Sequence, residues 1–248
     1  MRGLINIVKT ILFVFLMLGL SVTAFAKMSA EQLADKVEGA IANYYYEDFK
    51  VTANQKGNVV IEGQINTMYD KYRIFEIASR VPGVRSITNK LIVNTQTLPD
   101  SIVQQNIEQE LERVESVLEP DQINVTVTNG VVFLKGTVNF HREKKMARTV
   151  ASWQEGVTGI VNELKVLPPQ KAVSDQNLKD ILGDILKDNF PLEKNVRFTV
   201  EGGVVTLEGT ADDLWSKKEI ADEFAGVIGV KKVINNLEVK EDKAEIAG

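Results

Sequence analysis

Basic and aromatic side chains recur together at one spacing in this sequence. Lys71, Lys144 and Lys217 lie 73 residues apart, and each has aromatic and further basic neighbours. These neighbours are Tyr69, Tyr72 and Arg73 in the first copy, Phe140, Arg142, Lys145 and Arg148 in the second, and Trp215 and Lys218 in the third. In the headgroup layer of a membrane, a cation meets phosphate while an aromatic ring lies at the interface. These twelve residues are therefore candidates for binding anionic phospholipid.

Two interpretations of these clusters are open. Each Lys or Arg near an anionic surface adds about 1 kcal/mol of attraction, so three clusters that face one way would add in avidity. The alternative is a solvated helix face whose lysines confer solubility while the aromatic rings fill the core. The Tyr44-Tyr45-Tyr46 run is a second candidate for membrane contact, and it is equally compatible with core filling.

The side chains that most catalytic and metal sites require are scarce. The chain has one histidine, His141, and no cysteine, which excludes disulfides, thiol nucleophiles and cysteine-ligated zinc. The sequence has no G-x-S-x-G, Walker or H-E-x-x-H motif. The carboxylates between Glu108 and Glu119 form a charged run that is typical of a solvated helix face. We therefore expect no enzyme, no cofactor and no metal site, and the formal charge of −5 argues against nucleic acid as a partner.

The 73-residue spacing extends beyond the lysines and divides the chain into three copies of one unit. It links three sets of glycines and one set of asparagines: Gly57, Gly130 and Gly203; Gly63, Gly136 and Gly209; Gly83, Gly156 and Gly229; Asn89, Asn162 and Asn235. We expect the first glycine set to form structural turns. We expect the asparagines to hydrogen-bond backbone beside the last strand of each unit.

Each unit begins with a helical pattern and continues into a β-hairpin. A polar cap precedes apolar residues at helical spacing in each case: Ser29 before Leu33, Val37 and Ile41; Asp100 before Val103, Ile107 and Leu111; Asp175 before Leu178, Ile181, Leu182 and Ile185. The second hairpin has alternating β-branched residues around Asn129-Gly130, a pair that favours a type I′ turn. In the first unit Thr52 and Asn54 occupy positions that are apolar elsewhere. We expect its first strand to be shifted, bulged or poorly packed.

A second helix and a closing strand complete each unit. The helices are predicted around Asp70–Arg80, Arg142–Trp153 and Leu214–Ala225. The pattern Gly-Val-x-x-Ile/Val-x-Asn-x-Leu-x-Val follows each helix and predicts a short strand. Its glycine is predicted to end the helix as a C′ cap.

The order of elements, the core V-x-V-x-N-G-V-V-x-L-x-G and the closing G-V-x-x-V-x-N-x-L-x-V resemble the BON domain. The match is close at Val125–Gly136, Gly156–Val166, Val200–Gly209 and Gly229–Val239, and weaker in the first unit. The resemblance implies an α+β fold of three tandem small αββαβ sandwiches, each with two helices on a three-stranded mixed sheet. It also implies attachment to phospholipid membranes and a role in envelope or osmotic stress. Osmotically inducible periplasmic members of the family usually have two copies, so a third copy is a departure.

The N-terminus has the pattern of a secretory signal peptide. Arg2 and Lys9 precede an apolar run that is short for a membrane span, and an A-x-A site ends at Ala26. We expect cleavage after Ala26 and, in a Gram-negative bacterium, a periplasmic location; an uncleaved anchor is the alternative. The predicted divisions are a signal peptide at 1–26, repeats at 27–96, 97–168 and 169–240, and a polar tail at 241–248.

Two classes of partner follow from these expectations. The first is an anionic phospholipid or membrane surface, bound through the basic and aromatic clusters. The second is an unfolded or outer-membrane protein client, bound in a chaperone-like role through a sheet edge or an exposed apolar helix surface. A spacer whose repeats only set distance is a third interpretation.

Overall fold

The computed structural model describes residues 28–45, 49–114, 122–167 and 173–240. The expected signal peptide, the polar tail and Tyr46 lie outside the described residues. Within those residues the order αββαβ occurs three times, so the predicted α+β fold of three repeated units is confirmed.

The first repeat has two helices and a three-stranded sheet. Its elements are α1 (Ala30–Ala42), β1 (Lys50–Ala53), β2 (Asn58–Ile65), α2 (Met68–Ser79) and β3 (Ser86–Val93). The central strand β2 pairs antiparallel with β1 and parallel with β3, so the sheet is mixed. Ser29 caps α1 as predicted, because its side chain accepts from the amide of Gln32 while the Gln32 side chain accepts from the amide of Ser29.

The second and third repeats have the same topology with an interrupted last strand. The second contains α3 (Asp100–Arg113), β4 (Ile123–Thr128), β5 (Val131–Val138), α4 (His141–Ser152), β6 (Gly159–Asn162) and β7 (Lys165–Val166). The third contains α5 (Asp175–Asn189), β8 (Val196–Glu201), β9 (Val204–Ala211), α6 (Leu214–Ala225), β10 (Lys232–Asn235) and β11 (Glu238–Val239). Strands β6 and β7 both pair with β5, and β10 and β11 both pair with β9. Each pair of short strands therefore takes the place of the single strand β3.

Both helices of a repeat pack on one face of its sheet. In the second repeat Ile107 of the first helix, Leu134 of the central strand and Val150 of the second helix lie in one apolar cluster. The apolar residues predicted for the first helices are buried or partly buried, except that Ile181 is 44% exposed. Leu178 and Leu182 face the core of the third repeat, and Ile181 lies at the flank of their stripe.

The first hairpin differs from the others by one residue of register. Val51 pairs with Ile61, whereas the 73-residue spacing would place Thr52 there. A three-residue loop that ends at Gly57 replaces the two-residue turn of the other repeats. Because side chains alternate between the faces of a strand, this shift turns Val51 rather than Thr52 towards the core. The expected shift of the first strand is confirmed, and Val51 is buried.

Two carboxylates that the sequence predicts as helix caps instead hold hairpin turns. Asp100 and Asp175 are the first helical residues of α3 and α5, and the cap position precedes each of them. The Asp100 carboxylate accepts hydrogen bonds from the amides of Asn129 and Gly130 at 2.8 and 2.9 Å. Asp175 accepts from the two turn amides of the third repeat in the same way, and these bonds hold the pKa of its carboxyl below the usual range. The φ angles of the turn glycines lie in the left-handed region, at 79° for Gly57, 74° for Gly130 and 81° for Gly203.

The glycines predicted to cap the second helices lie beyond the helix ends. Helix α4 ends at Ser152, and its C-cap Trp153 has an ordinary right-handed conformation. Gly156 follows with a φ of 82°, and a Cβ at this position would lie 2.7 Å from Cγ2 of Val103. The C′ prediction is therefore wrong. This glycine instead allows the loop to approach the first helix of its repeat.

Candidate functional site

The twelve candidate residues lie on the second helices α2, α4 and α6 or, for Phe140, directly before α4. Each second helix packs on its own sheet and also contacts second helices of other repeats. We name these contacts the first–second, second–third and third–first interfaces, after the repeats that they join. The sequence prediction did not anticipate that these helices meet.

Two of the repeated lysines are bound to their own repeat. Nζ of Lys71 donates to the carbonyl of Leu91 at 2.6 Å, and Lys144 donates to Leu164 at 2.7 Å. Asn89 completes this clamp, because its Nδ2 donates to the carbonyl of Lys71 and its Oδ1 accepts from the amide of Leu91. The same two asparagine bonds are present in the other repeats, so the structural role predicted for the asparagines is confirmed. A lysine held by a backbone carbonyl presents less of its charge to a ligand.

The first–second interface pairs aromatic residues with residues of another repeat. The rings of Tyr69 and Trp153 meet edge to face with centroids 5.6 Å apart, and the Arg148 guanidinium lies 5.0 Å from the centre of the Tyr72 ring. Met68, the first residue of α2, is buried in the apolar core of the second repeat. Burial raises the pKa of the Tyr72 phenol, and Arg148 opposes that effect. Aromatic and cation–π contacts of this kind contribute about 0.5–1.5 kcal/mol each.

The third–first interface also joins aromatic rings to cations. Where the first–second interface has the ring of Tyr72 and the cation of Arg148, the equivalent positions here hold a cation and a ring, respectively. The Arg80 guanidinium of the first repeat lies 3.6 Å from the centre of the Trp215 ring. Nζ of Lys218 lies 4.8 Å from the centre of the Phe75 ring. Leu214, the first residue of α6, is buried in the core of the first repeat.

The second–third interface relies on polar contacts instead. Nζ of Lys145 lies 2.9 Å from a carboxylate oxygen of Glu219, and both side chains are about one-third exposed. His141, the first residue of α4, is half-buried against the end of α6: a Cβ on Gly226 would lie 3.5 Å from the Cβ of His141.

One position of the second helix makes a contact at each of the three interfaces, and the interfaces together close a ring. The fifth residue of each second helix reaches the next repeat: Tyr72 meets Arg148, Lys145 meets Glu219, and Lys218 meets Phe75. At two of the interfaces the second residue of one helix meets the residue that follows the neighbouring helix: Tyr69 meets Trp153, and Trp215 meets Arg80. Because the first repeat reaches the second, the second reaches the third and the third reaches the first, the second helices close on one another.

A cavity of about 440 Å³ lies where these helices meet. Its lining combines rings with charges of both signs and includes Tyr69, Phe75, Arg148, Trp215, Lys218 and Asp222. The volume falls within the range of small-ligand sites, roughly 300–1,000 Å³. Since Arg148 and Lys218 come from different repeats and line the same cavity, the ring of helices brings their charges together.

Three of the candidate cations form no ion pair with a carboxylate among the described residues. Arg142, Arg148 and Lys218 are exposed, and each lies over an aromatic ring; the ring beneath Arg142 is that of Phe140, at 4.6 Å. Arg73 differs, because it pairs with Glu76 on its own helix. The remaining candidate, Lys217, is partly buried, and its carbonyl accepts the clamp bond of the third repeat.

Two tyrosines of the run after α1 differ in their exposure and contacts. Tyr45 packs edge to face against Phe49, and its hydroxyl donates to the carboxylate of Asp70 at 3.2 Å. Burial, followed by the negative charge of Asp70, raises the pKa of Tyr45 to about 12. Tyr44 is 67% exposed.

Sequence reasoning missed the partners of the candidate residues. Arg80 and Trp153 occupy one repeat position directly after the second helix, and Phe75 and Arg148 occupy another. The 73-residue spacing therefore marked the right positions, but the different residue types at them concealed the pattern. In the part of the chain that the structure describes, no group of three or more His, Cys, Asp or Glu side chains is placed to hold a metal ion. No helix among the described residues is long and apolar enough to span a membrane.

Three αββαβ units joined through their second helices define a tandem-repeat α+β protein, and the BON domain family model matches residues 29–95, 99–168 and 174–241. The chain therefore belongs to the BON domain family. It is 29% identical over 124 residues to osmotically-inducible protein Y of Escherichia coli (strain K12), in a match that covers 48% of this chain and 62% of that protein. It is also 29% identical over 126 residues to an uncharacterized protein in the gshII 5′ region of Anaplasma centrale, covering 49% of this chain and 83% of that one. Among solved structures, the C-terminal domain of CdsD, a structural protein of the type III secretion system of Chlamydia trachomatis, matches with 16% identity and a TM-score of 0.24, over 86% of this chain and 98% of that one.

Proposed function

We propose that this chain is a non-enzymatic envelope protein that binds anionic phospholipid surfaces through cations of its second helices. One observation carries the proposal: Arg142, Arg148 and Lys218 are exposed and lie over aromatic rings rather than against carboxylates of the described residues. A ring orients a cation without neutralising it, so the charge stays available for a phosphate oxygen.

The expected contribution of these cations is moderate and sensitive to salt. The net charge is −5, so attraction to an anionic surface has to come from a local patch. At about 1 kcal/mol for each cation near such a surface, Arg148 and Lys218 together contribute about 2 kcal/mol, roughly a 30-fold change in affinity. Added salt screens this attraction, because the side chains are exposed.

The proposed setting is the periplasm during osmotic or envelope stress. The Escherichia coli relative is named for its osmotic induction, and the N-terminal sequence has the charged start, apolar run and A-x-A site of a cleaved signal peptide. We propose cleavage after Ala26. Comparing the N-terminus of the periplasmic protein with Lys27 tests this step, and a retained leader would contradict it.

Co-sedimentation with vesicles tests the lipid proposal. The mature chain is mixed with neutral or anionic phospholipid vesicles at low and at high salt, and the R148Q/K218Q variant is compared with wild type. We expect salt-sensitive binding to anionic vesicles only, weakened roughly 30-fold in the variant. The control variant K90Q/K135Q loses the same charge from the open sheet faces, where both lysines already pair with carboxylates. Equal weakening in the two variants would reject the proposed site, and no binding by wild type at low salt would reject the function.

A client-binding function has one specific observation in its favour. The last strand of each repeat lies at a sheet edge and exposes apolar side chains: Ile92 in the first, Val161 and Val166 in the second, and Ile234 in the third. An extended segment of an unfolded protein can add to such an edge through backbone hydrogen bonds. This alternative predicts that the chain suppresses client aggregation without lipid, and that I92T/V161T weakens suppression while R148Q/K218Q does not. Loss of suppression in R148Q/K218Q alone would contradict an edge-strand mechanism.

A further inference from the structure

The three second helices begin with different residues at one equivalent position. Met68 is 6% exposed and lies in the core of the second repeat, and Leu214 is 7% exposed and lies in the core of the first. His141 occupies the same position at the second–third interface, where it is half-buried against the end of α6. Two interfaces are therefore anchored by an apolar side chain, and the third by an imidazole that gains a charge near neutral pH.

Burial and three nearby cations oppose that gain of charge, and one carboxylate favours it. On its own helix lie Lys144, Lys145 and Arg148, and across the interface lies Asp222. Burial lowers the pKa of the His141 imidazole; the Asp222 carboxylate acts in the opposite direction, and the three cations act with burial, so the pKa lies below its ordinary value. The nearby Glu219 carboxylate is bound by Lys145 at 2.9 Å.

We propose that protonation of His141 opens the second–third interface and thereby frees the basic face of α4. An imidazolium adds a cation to three on the same helix and places a half-buried charge against the end of α6. Opening breaks the Lys145–Glu219 ion pair, which leaves Lys145 beside Arg142 and Arg148 on an accessible surface. The interface is thus a pH-sensitive gate. That its opening promotes membrane binding rests on the function proposed above.

The direction of the pH dependence follows from the lowered pKa. The unfolded or opened chain binds a proton on His141 more readily than the closed chain does, so closure is favoured at high pH. Stability of the interface should fall as the pH drops below about 6.5, the ordinary pKa of histidine. His141 is the only histidine in the sequence, so no other side chain has an ordinary pKa in this range.

Hydrogen exchange without lipid tests the gate itself. Exchange of the amides of α4 and α6, corrected for intrinsic rates, is compared at about pH 7.5 and about pH 5.5, and the imidazole is titrated by proton NMR. We expect an imidazole pKa below 6.5 and a several-fold increase in opening at the lower pH. In H141L, which copies the apolar residue found at position 214, and in H141Q, which stays polar but does not titrate, the increase should disappear. An unchanged pH response in both variants, or an imidazole that titrates at or above its ordinary pKa, would overturn the proposal.

Vesicle binding at the same two pH values distinguishes the opening of the interface from the proposed lipid function. Wild type should bind anionic vesicles several-fold more tightly at the lower pH, and H141L should bind equally at both. Binding by wild type that ignores pH, despite an interface that opens, would overturn the link between gate and membrane. No vesicle binding at either pH, with normal opening, would refute the proposed lipid function and leave the gate supported.

Discussion

Replacing Asn162 by alanine should destabilise the second repeat without touching its outer surface. The side chain donates to the carbonyl of Lys144 at 2.9 Å and accepts from the amide of Leu164 at 3.2 Å. Alanine removes both bonds and leaves the Leu164 amide without its partner beside a side chain that is only 1% exposed. An unsatisfied buried group costs about 1–3 kcal/mol and a lost hydrogen bond about 1 kcal/mol, so we expect a loss of about 2–4 kcal/mol.

Urea and thermal unfolding of the mature chain measure this loss. The expected value corresponds to a Tm that is lower by roughly 5–10 °C, if the three repeats unfold together. Asn124→Ala is the matched control, because Asn124 is exposed on strand β4 of the same sheet and should change stability by less than about 0.5 kcal/mol. Equal stability of the two variants would refute the clamp, and faster hydrogen exchange at Leu164 in N162A would localise the loss to it.

Four further variants test local features of the fold by unfolding or titration. Gly136→Ala should lower the free energy of unfolding by at least about 2 kcal/mol, because the φ of Gly136 is 119° and a Cβ would lie 2.0 Å from a carbonyl oxygen. Gly183→Ala should instead raise it by about 0.5–1 kcal/mol, because the new methyl group in α5 meets open space. The pKa of Asp175 is lowered in the folded chain, so its carboxylate contributes to folding stability above the usual carboxyl pKa. This contribution is lost as the pH falls through the lowered pKa. D175N should therefore be less stable than wild type at neutral pH and equal to it in acid. The pKa of Tyr45 is raised to about 12, so stability should fall as the pH rises above 10.0 in wild type but less so in Y45F, and ultraviolet absorbance should show a late tyrosine ionisation that is missing in Y45F; the same titration curve in both proteins would contradict the contact of Tyr45 with Asp70.

The fold of each unit was predictable because it depends on local patterns. The Ser29 cap, the helical spacing of residues such as Val37 and Ile107, and the Asn129-Gly130 turn act within one repeat, where sequence spacing determines spatial neighbours. The errors come from contacts between residues that are distant in the sequence. Asp100 precedes an apolar run in the manner of a cap, but its carboxylate bonds a turn 29 residues away.

The partners of the candidate site were not predictable in this way. Tyr72 meets Arg148, and Lys218 meets Phe75, through packing between repeats, and no periodicity within a helix indicates such contacts. The repeated lysines drew attention because their identity is constant. Lys71 and Lys144 are constant for a structural reason, since both bind a backbone carbonyl of the clamp.

Constant and variable positions of the repeat therefore serve different purposes. A clamp residue such as Asn162 has the same surroundings in every repeat, so one residue type fits all three. An interface position such as that of Lys145 meets a different neighbour each time, and its residue type changes with that neighbour. Interfaces of different chemistry also respond separately to the solvent. Acid should weaken the contact that contains His141 and leave the aromatic contacts of Trp153 and Trp215 in place. A ring of three unlike interfaces can therefore open at one interface while the other two hold the repeats together.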